Sequence, residues 1–137
     1  MARRMPKPAP CNNPPPPHLR VGRQAEDLAC QFLTAKGLEL RQRNYRCPCG
    51  EIDLVMCDRR TLVFIEVRYR RDESFGGGAA SVDRRKRDRL VRTASYYLQQ
   101  HNLTDRIPVR FDVIAFTSPS LSEHHPQWIV NAFEACI

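Results

Sequence analysis

The sequence predicts an α/β domain, a mixed β-sheet flanked by helices in the order α-β-β-β-α-β-β. Three observations predict it. Residues 51–57 (EIDLVMC) and 62–69 (LVFIEVRY) have the length and composition of strands and are joined by a short polar link. Residues 22–36 and 81–100 repeat apolar side chains at helical spacing. A further strand-like run, 108–116 (PVRFDVIAF), follows the second helix.

The elements follow in chain order. Seven of the eleven prolines fall within the first seventeen of 137 residues. Residues 1–18 therefore read as a disordered or polyproline-like leader, and residues 19–137 as one domain. A chain of that size buries roughly two thirds of its unfolded surface, enough for one core. Over residues 22–36, Ala25, Leu28, Ala29, Phe32 and Leu33 share a helical face, and Gly37 supplies the stop. Residues 38–46 (LELRQRNYR) suit a first strand, ended by a Pro/Gly turn at 47–50. The next two strands form a hairpin across a four-residue loop, Asp58-Arg59-Arg60-Thr61. Residues 70–80 are polar and then Gly-rich, and Ser81 is the expected N-cap of the second helix. Leu90, Val91, Ala94, Tyr97 and Leu98 form that helix's apolar stripe. Strands at 108–116 and 127–130 complete the sheet.

Composition excludes two function classes. No run approaches about 18 apolar residues, so no membrane span is expected. The basic N-terminus has no apolar segment of the secretory kind. The expected location is the cytoplasm, with the cysteines at 11, 30, 47, 49, 57 and 136 as free thiols. Cys47-Pro48-Cys49 lacks zinc-site spacing, which leaves a Cys47/Cys49/Cys57 metal or redox centre as a minor alternative. His124 and His125 lie in a Ser/Pro-rich stretch and read as solvated. The formal net charge is +7, and the 22 basic residues are 19 Arg and 3 Lys. From Arg68 to Arg92 nine basic residues face four acids, a candidate phosphate-binding footprint or a solvated helix face.

The informative acids lie on the hairpin. Counting back from a four-residue loop pairs Cys57 with Leu62, Val55 with Phe64, and Asp53 with Glu66. Directly opposed residues have Cβ atoms about 4.5–5.5 Å apart, and like charges there destabilise a sheet. A divalent cation would compensate. So would a shared proton, or ion pairs such as Asp53–Arg68 or Glu66–Arg110. Glu26 falls at the edge of the first helix's buried stripe, where it can look toward the sheet or simply favour the helix N-terminus.

These residues carry a family resemblance. The pieces G-R-Q-A-E-D-L-A (22–29), R-N-Y-R (43–46), G-E-I-D-L-V (50–55), V-F-I-E-V-R-Y-R (63–70), F-G-G-G (75–78), Lys86 with R-L-V (89–91), A-S-Y-Y-L (94–98), R-F-D-V (110–113) and N-A-F (131–133) resemble the YraN-like family of small bacterial proteins. That family is placed among restriction-endonuclease-like nucleases and is distantly similar to archaeal Holliday junction resolvases. The resemblance implies a restriction-endonuclease-like mixed β-sheet and an acidic D…E-x-K metal site for Mg²⁺ or Mn²⁺. Asp53 matches the Asp, Glu66 the Glu, and Glu26 the accompanying helical acid. Val67 would offer its backbone carbonyl to the metal. Arg68 stands where Lys is usual; it keeps the charge but cannot act as a base.

The implied activity is phosphodiester hydrolysis in DNA. Asp53, Glu66 and Glu26 would hold the ion, and Arg68 would stabilise the transition state. Arg70, Arg71, Arg84, Arg85, Lys86 and Arg87 would track the DNA backbone, with an amine supplied to the site by Lys86 as the alternative role for that residue. No base-reading element is visible, so shape or branching is the expected recognition, and a homodimer would suit a symmetric junction. The competing reading is a DNA-binding or scaffold protein of nuclease fold without activity.

Overall fold

The computed structural model describes residues 17–69, 82–116 and 126–135. The order is α1 (Pro17–Ala35), β1 (Glu39–Cys47), β2 (Gly50–Asp58), β3 (Thr61–Tyr69), α2 (Arg84–Gln100), β4 (Val109–Phe116) and β5 (Gln127–Phe133). The strands form one mixed sheet in the order β1-β2-β3-β4-β5. Only β3 and β4 are parallel, as the intervening helix requires. The α/β class and element order expected from the sequence hold.

The helices cover opposite faces of the sheet. Ala25, Ala29 and Leu33 of α1 pack on Leu54, Met56, Val63, Ile65, Ile114 and Phe116. Leu90, Ala94, Tyr97 and Leu98 of α2 pack on Tyr45, Ile52, Val55, Leu62, Phe64, Phe111, Val113 and Phe133. The result is a three-layer sandwich whose central strands β2, β3 and β4 are buried on both sides. Their near-continuous apolar runs follow from that double burial. No helix among the described residues is long and apolar enough to cross a membrane.

Several element ends differ from expectation. The first helix starts at Pro17, five residues before Gly22; a proline is tolerated there because the first N–H groups have no intrahelical partner. The second helix is capped by Asp83, not Ser81: Asp83 Oδ1 accepts the Lys86 N–H at 2.9 Å. The β2–β3 turn is Arg59-Arg60 alone, because Asp58 pairs with Thr61. Arg59 takes φ 57° to close it. The last strand runs to Phe133 because Phe133 stacks on Phe111 at 4.8 Å. Residues 1–16, the F-G-G-G stretch at 75–78, and Arg70, Arg71, Ser81, His124 and His125 lie outside the described residues.

A buried polar network ties β4 to β5. Asp112, 1 % exposed, accepts from Arg110 Nε at 3.1 Å, Trp128 Nε1 at 2.9 Å and the Asn131 N–H at 2.9 Å. The β4–β5 register shifts here, and Asn131 has φ 52°. The carboxylate thus satisfies a strand N–H that the bulge displaces. Arg110 also reaches Asp58 at 2.9 Å. Arg110 is therefore committed to Asp112 and Asp58, and the Glu66–Arg110 pairing weighed from the sequence does not form.

Candidate metal centre

The hairpin register follows the count made from the sequence: Cys57 pairs with Leu62 and Val55 with Phe64. The ladder stops at Leu54–Ile65, one step short of the expected Asp53–Glu66 pair. Beyond it the Asp53 carboxylate replaces a strand acceptor, and Oδ2 takes the Val67 N–H at 2.8 Å. The β1–β2 ladder also passes over this place, running from Arg43–Leu54 to Tyr45–Ile52. Asn44, opposite Asp53 in that register, has φ 51°. Ile52 and Val55 both join the α2 layer, with Leu54 in the α1 layer between them. Strand alternation slips once, at Asp53.

That slip lets acids from two layers meet. One carboxylate oxygen each from Glu26, Glu51 and Asp53 lies within 4.8 Å of the others. Asn44 braces them. In the orientation its neighbours require, its amide nitrogen donates to Glu26 at 3.2 and 3.1 Å and to Glu51 at 3.3 Å. Arg43 approaches Glu26 at 3.7 Å but bonds Asp27 at 2.6 Å. On the α2 side, Gly50, Glu51, Asp53, Glu66, Lys86, Arg89 and Leu90 line a cleft of about 290 Å³. Lys86 Nζ sits 2.5 Å from Glu66 Oε1, whose side chain is 9 % exposed. Arg68 is half-buried beside Ala115 of β4. The cations lining the cleft among the described residues are Lys86 and Arg89.

The electrostatics match the crowding. Burial, then the nearby Glu66 charge, push the Asp53 carboxyl up to about 8, against the lowering hydrogen bond from Val67. Burial also raises Glu26, opposed by Asn44 and Arg43. Because the folded Asp53 holds a proton that the unfolded chain releases near pH 4, its stabilising contribution is complete below about pH 4. It declines as pH rises and is lost above about pH 8.

Gly50 permits the close approach of β2 to α2. Its φ is 151°, and an added Cβ would meet Thr93 Oγ1 at 3.1 Å and Arg89 Cβ at 3.8 Å. Gly50→Ala should cost about 1–2 kcal/mol in denaturant unfolding. A loss below about 0.3 kcal/mol would show that the turn relaxes freely.

Residues 25–116 match the model described as Uncharacterised protein family UPF0102, a span that holds every candidate carboxylate. The chain belongs to UPF0102. A UPF0102 protein of Methylococcus capsulatus is 52% identical over 115 residues, covering 84% of this chain and 91% of the relative. One from Stutzerimonas stutzeri is 49% identical over 114 residues, covering 83% and 94%. One from Nitrosococcus oceani is 48% identical over 119 residues, covering 87% and 95%. The membership agrees with the YraN-like resemblance seen in the sequence.

Of the residues expected at the site of this UPF0102 chain, the structure brings the Asp53 and Glu26 carboxylates together, while Glu66 shares the α2-side cleft with Asp53 but lies outside that close group. Val67 is held against Asp53 through its N–H. Glu51 joins the site without being expected from the sequence, although it lies two residues before Asp53 and shares its strand parity. Arg84 and Arg85 are exposed on the first turn of α2. Arg87 turns elsewhere, donating to Val82 O at 2.8 Å and lying over the Phe133 ring. Cys57, at the far end of β2, donates to Arg59 O, while the Cys49 N–H donates to Cys47 Sγ. The three thiols therefore do not cluster.

Proposed function

We propose that the protein is a Mg²⁺- or Mn²⁺-dependent endonuclease that hydrolyses phosphodiester bonds in DNA, with branched or structured DNA as its substrate class. One observation carries the reading: one carboxylate oxygen each from Glu26, Glu51 and Asp53 converges within 4.8 Å, with Glu26 and Asp53 half-buried and Glu51 exposed. A purely structural acid is expected to resemble Asp112, neutralised by Arg110 and saturated with donors. Asp53 is instead crowded by other acids. An all-oxygen donor set of this kind fits a hard divalent cation.

Glu26, Glu51, Asp53 and Glu66 would hold the ion, with the Val67 carbonyl as a further donor. A bound ion supplies Lewis acidity to a phosphate oxygen and acidifies water. The Val67 N–H fixes Asp53, and Asn44 fixes Glu26 and Glu51, so the carboxylates stay aimed before substrate arrives. Arg89 lines the cleft where the strand would pass, and Arg68, two residues after Glu66 on β3, would add positive charge nearby. Arg84 and Arg85 extend the cationic surface toward the DNA backbone, joined in sequence by Arg70 and Arg71. A homodimer would set two such sites against a two-fold junction.

The test is incubation with four-way-junction and linear DNA in Mg²⁺, Mn²⁺ or EDTA. Metal-dependent cleavage is expected, reduced about 10-fold or more at low metal in Glu51→Gln. The alternative of a DNA-binding protein without activity is favoured by Arg68 in the place where Lys is usual. Salt-sensitive binding with no cleavage in any metal would establish it instead.

A further inference from the structure

We propose that Lys86 is an exchangeable counter-ion of the carboxylate site: its ammonium holds Glu66 in the metal-free protein, gives that carboxylate up to a divalent cation, and then engages a phosphate of the bound nucleic acid. The proposal rests on the metal-site reading above and assigns a role to a residue on a different element from the D…E-x-K strand.

The geometry points there. Lys86 Nζ lies 2.5 Å from Glu66 Oε1 in the cleft that Asp53 and Glu51 also line. The base of the side chain is fixed, because the Lys86 N–H is held by the Asp83 cap at 2.9 Å. The ammonium end is not confined: the Lys86 side chain is 36 % exposed and that of Glu66 9 %. The two partners therefore differ in what separation costs them. An ammonium released toward water is readily solvated, so Lys86 loses little on leaving. A buried carboxylate left bare is penalised strongly. Glu66 thus gives up Lys86 only to another cation, which makes the event an exchange.

Residue type fits the same role. Lysine is a compact, strongly hydrated charge on a flexible stem, able to change partners without rebuilding a planar fork. The chain has three lysines, at 7, 36 and 86. Lys36 lies over the Phe32 ring. Arg68 occupies the strand position two residues after Glu66, so the lysine of this site comes from the helix.

The test uses the full chain: wild type, Lys86→Met, Lys86→Arg and Asp53→Asn, each checked for an intact fold by circular dichroism. Mn²⁺ titration calorimetry reads the exchange without turnover. Lys86→Met should bind Mn²⁺ about 10-fold more tightly, since the competing cation is gone. In Ca²⁺, its affinity for a short duplex should fall, with a salt slope shallower by about one. Lys86→Arg should restore the slope. Unchanged or weaker Mn²⁺ binding in Lys86→Met, or an unchanged salt slope, would overturn the proposal and leave Lys86 as a structural ion pair. Should Lys86→Met fail to fold, Lys86→Gln is read by the same criteria. Asp53→Asn separates the two levels. Mn²⁺ uptake that survives it, or is absent from the wild type, removes the metal-site reading itself, and with it this proposal.

Discussion

Asp53→Asn should abolish metal-dependent DNA cleavage and, in EDTA above pH 8, make the folded protein more stable. The two effects have one cause. Asp53 is an acid raised to about 8 by burial and by Glu66, so its ionised form is costly unless a cation is present. Asparagine keeps an oxygen for the Val67 N–H, 2.8 Å away from the native carboxylate, while removing the charge. Cleavage is expected to fall about 10³-fold or more, the scale of losing a preorganised electrostatic group. Stability at pH 9 should rise by an amount on the order of a few kcal/mol, and the difference should vanish near pH 4. Thermal unfolding of both proteins at pH 4, 7 and 9 checks the second effect, and junction cleavage the first. A variant less stable than wild type at pH 9 would mean that the carboxylate already has its counter-charge within the protein.

Asp112→Ala should be the most damaging single change to stability, costing about 3–5 kcal/mol. It strands three donors at once: Arg110, Trp128 Nε1 and the Asn131 N–H. The Arg110 side chain is only 19 % exposed and would retain Asp58 alone. A domain of this size holds about 5–15 kcal/mol in total, so this loss is a large share of its stability. A denaturant titration at 25 °C measures the loss. A loss below about 1 kcal/mol would show that water enters and satisfies the orphaned donors.

The sheet was readable because its physics is local. Period-two alternation set β2 against β3, and the pairs Val55–Phe64 and Cys57–Leu62 follow from side-chain parity alone. The ladder's failure at Asp53 was not readable, because it depends on Asn44 adopting a left-handed backbone on a neighbouring strand. That same irregularity brings Glu51 into reach of Glu26. Lys86 was visible as a charge but not as a partner of Glu66, since nothing in residues 70–83 fixes where the helix begins. Ser81 and Asp83 are both good caps by residue type. The cap is Asp83, and its carboxylate anchors the Lys86 N–H.

Trp128 gives the molecule an internal optical reporter. It is the only tryptophan in the chain. Its indole donates to Asp112 and meets the Phe32 ring of α1 edge-on at 6.3 Å. Emission from a single fluorophore should therefore follow the docking of the first helix onto the sheet.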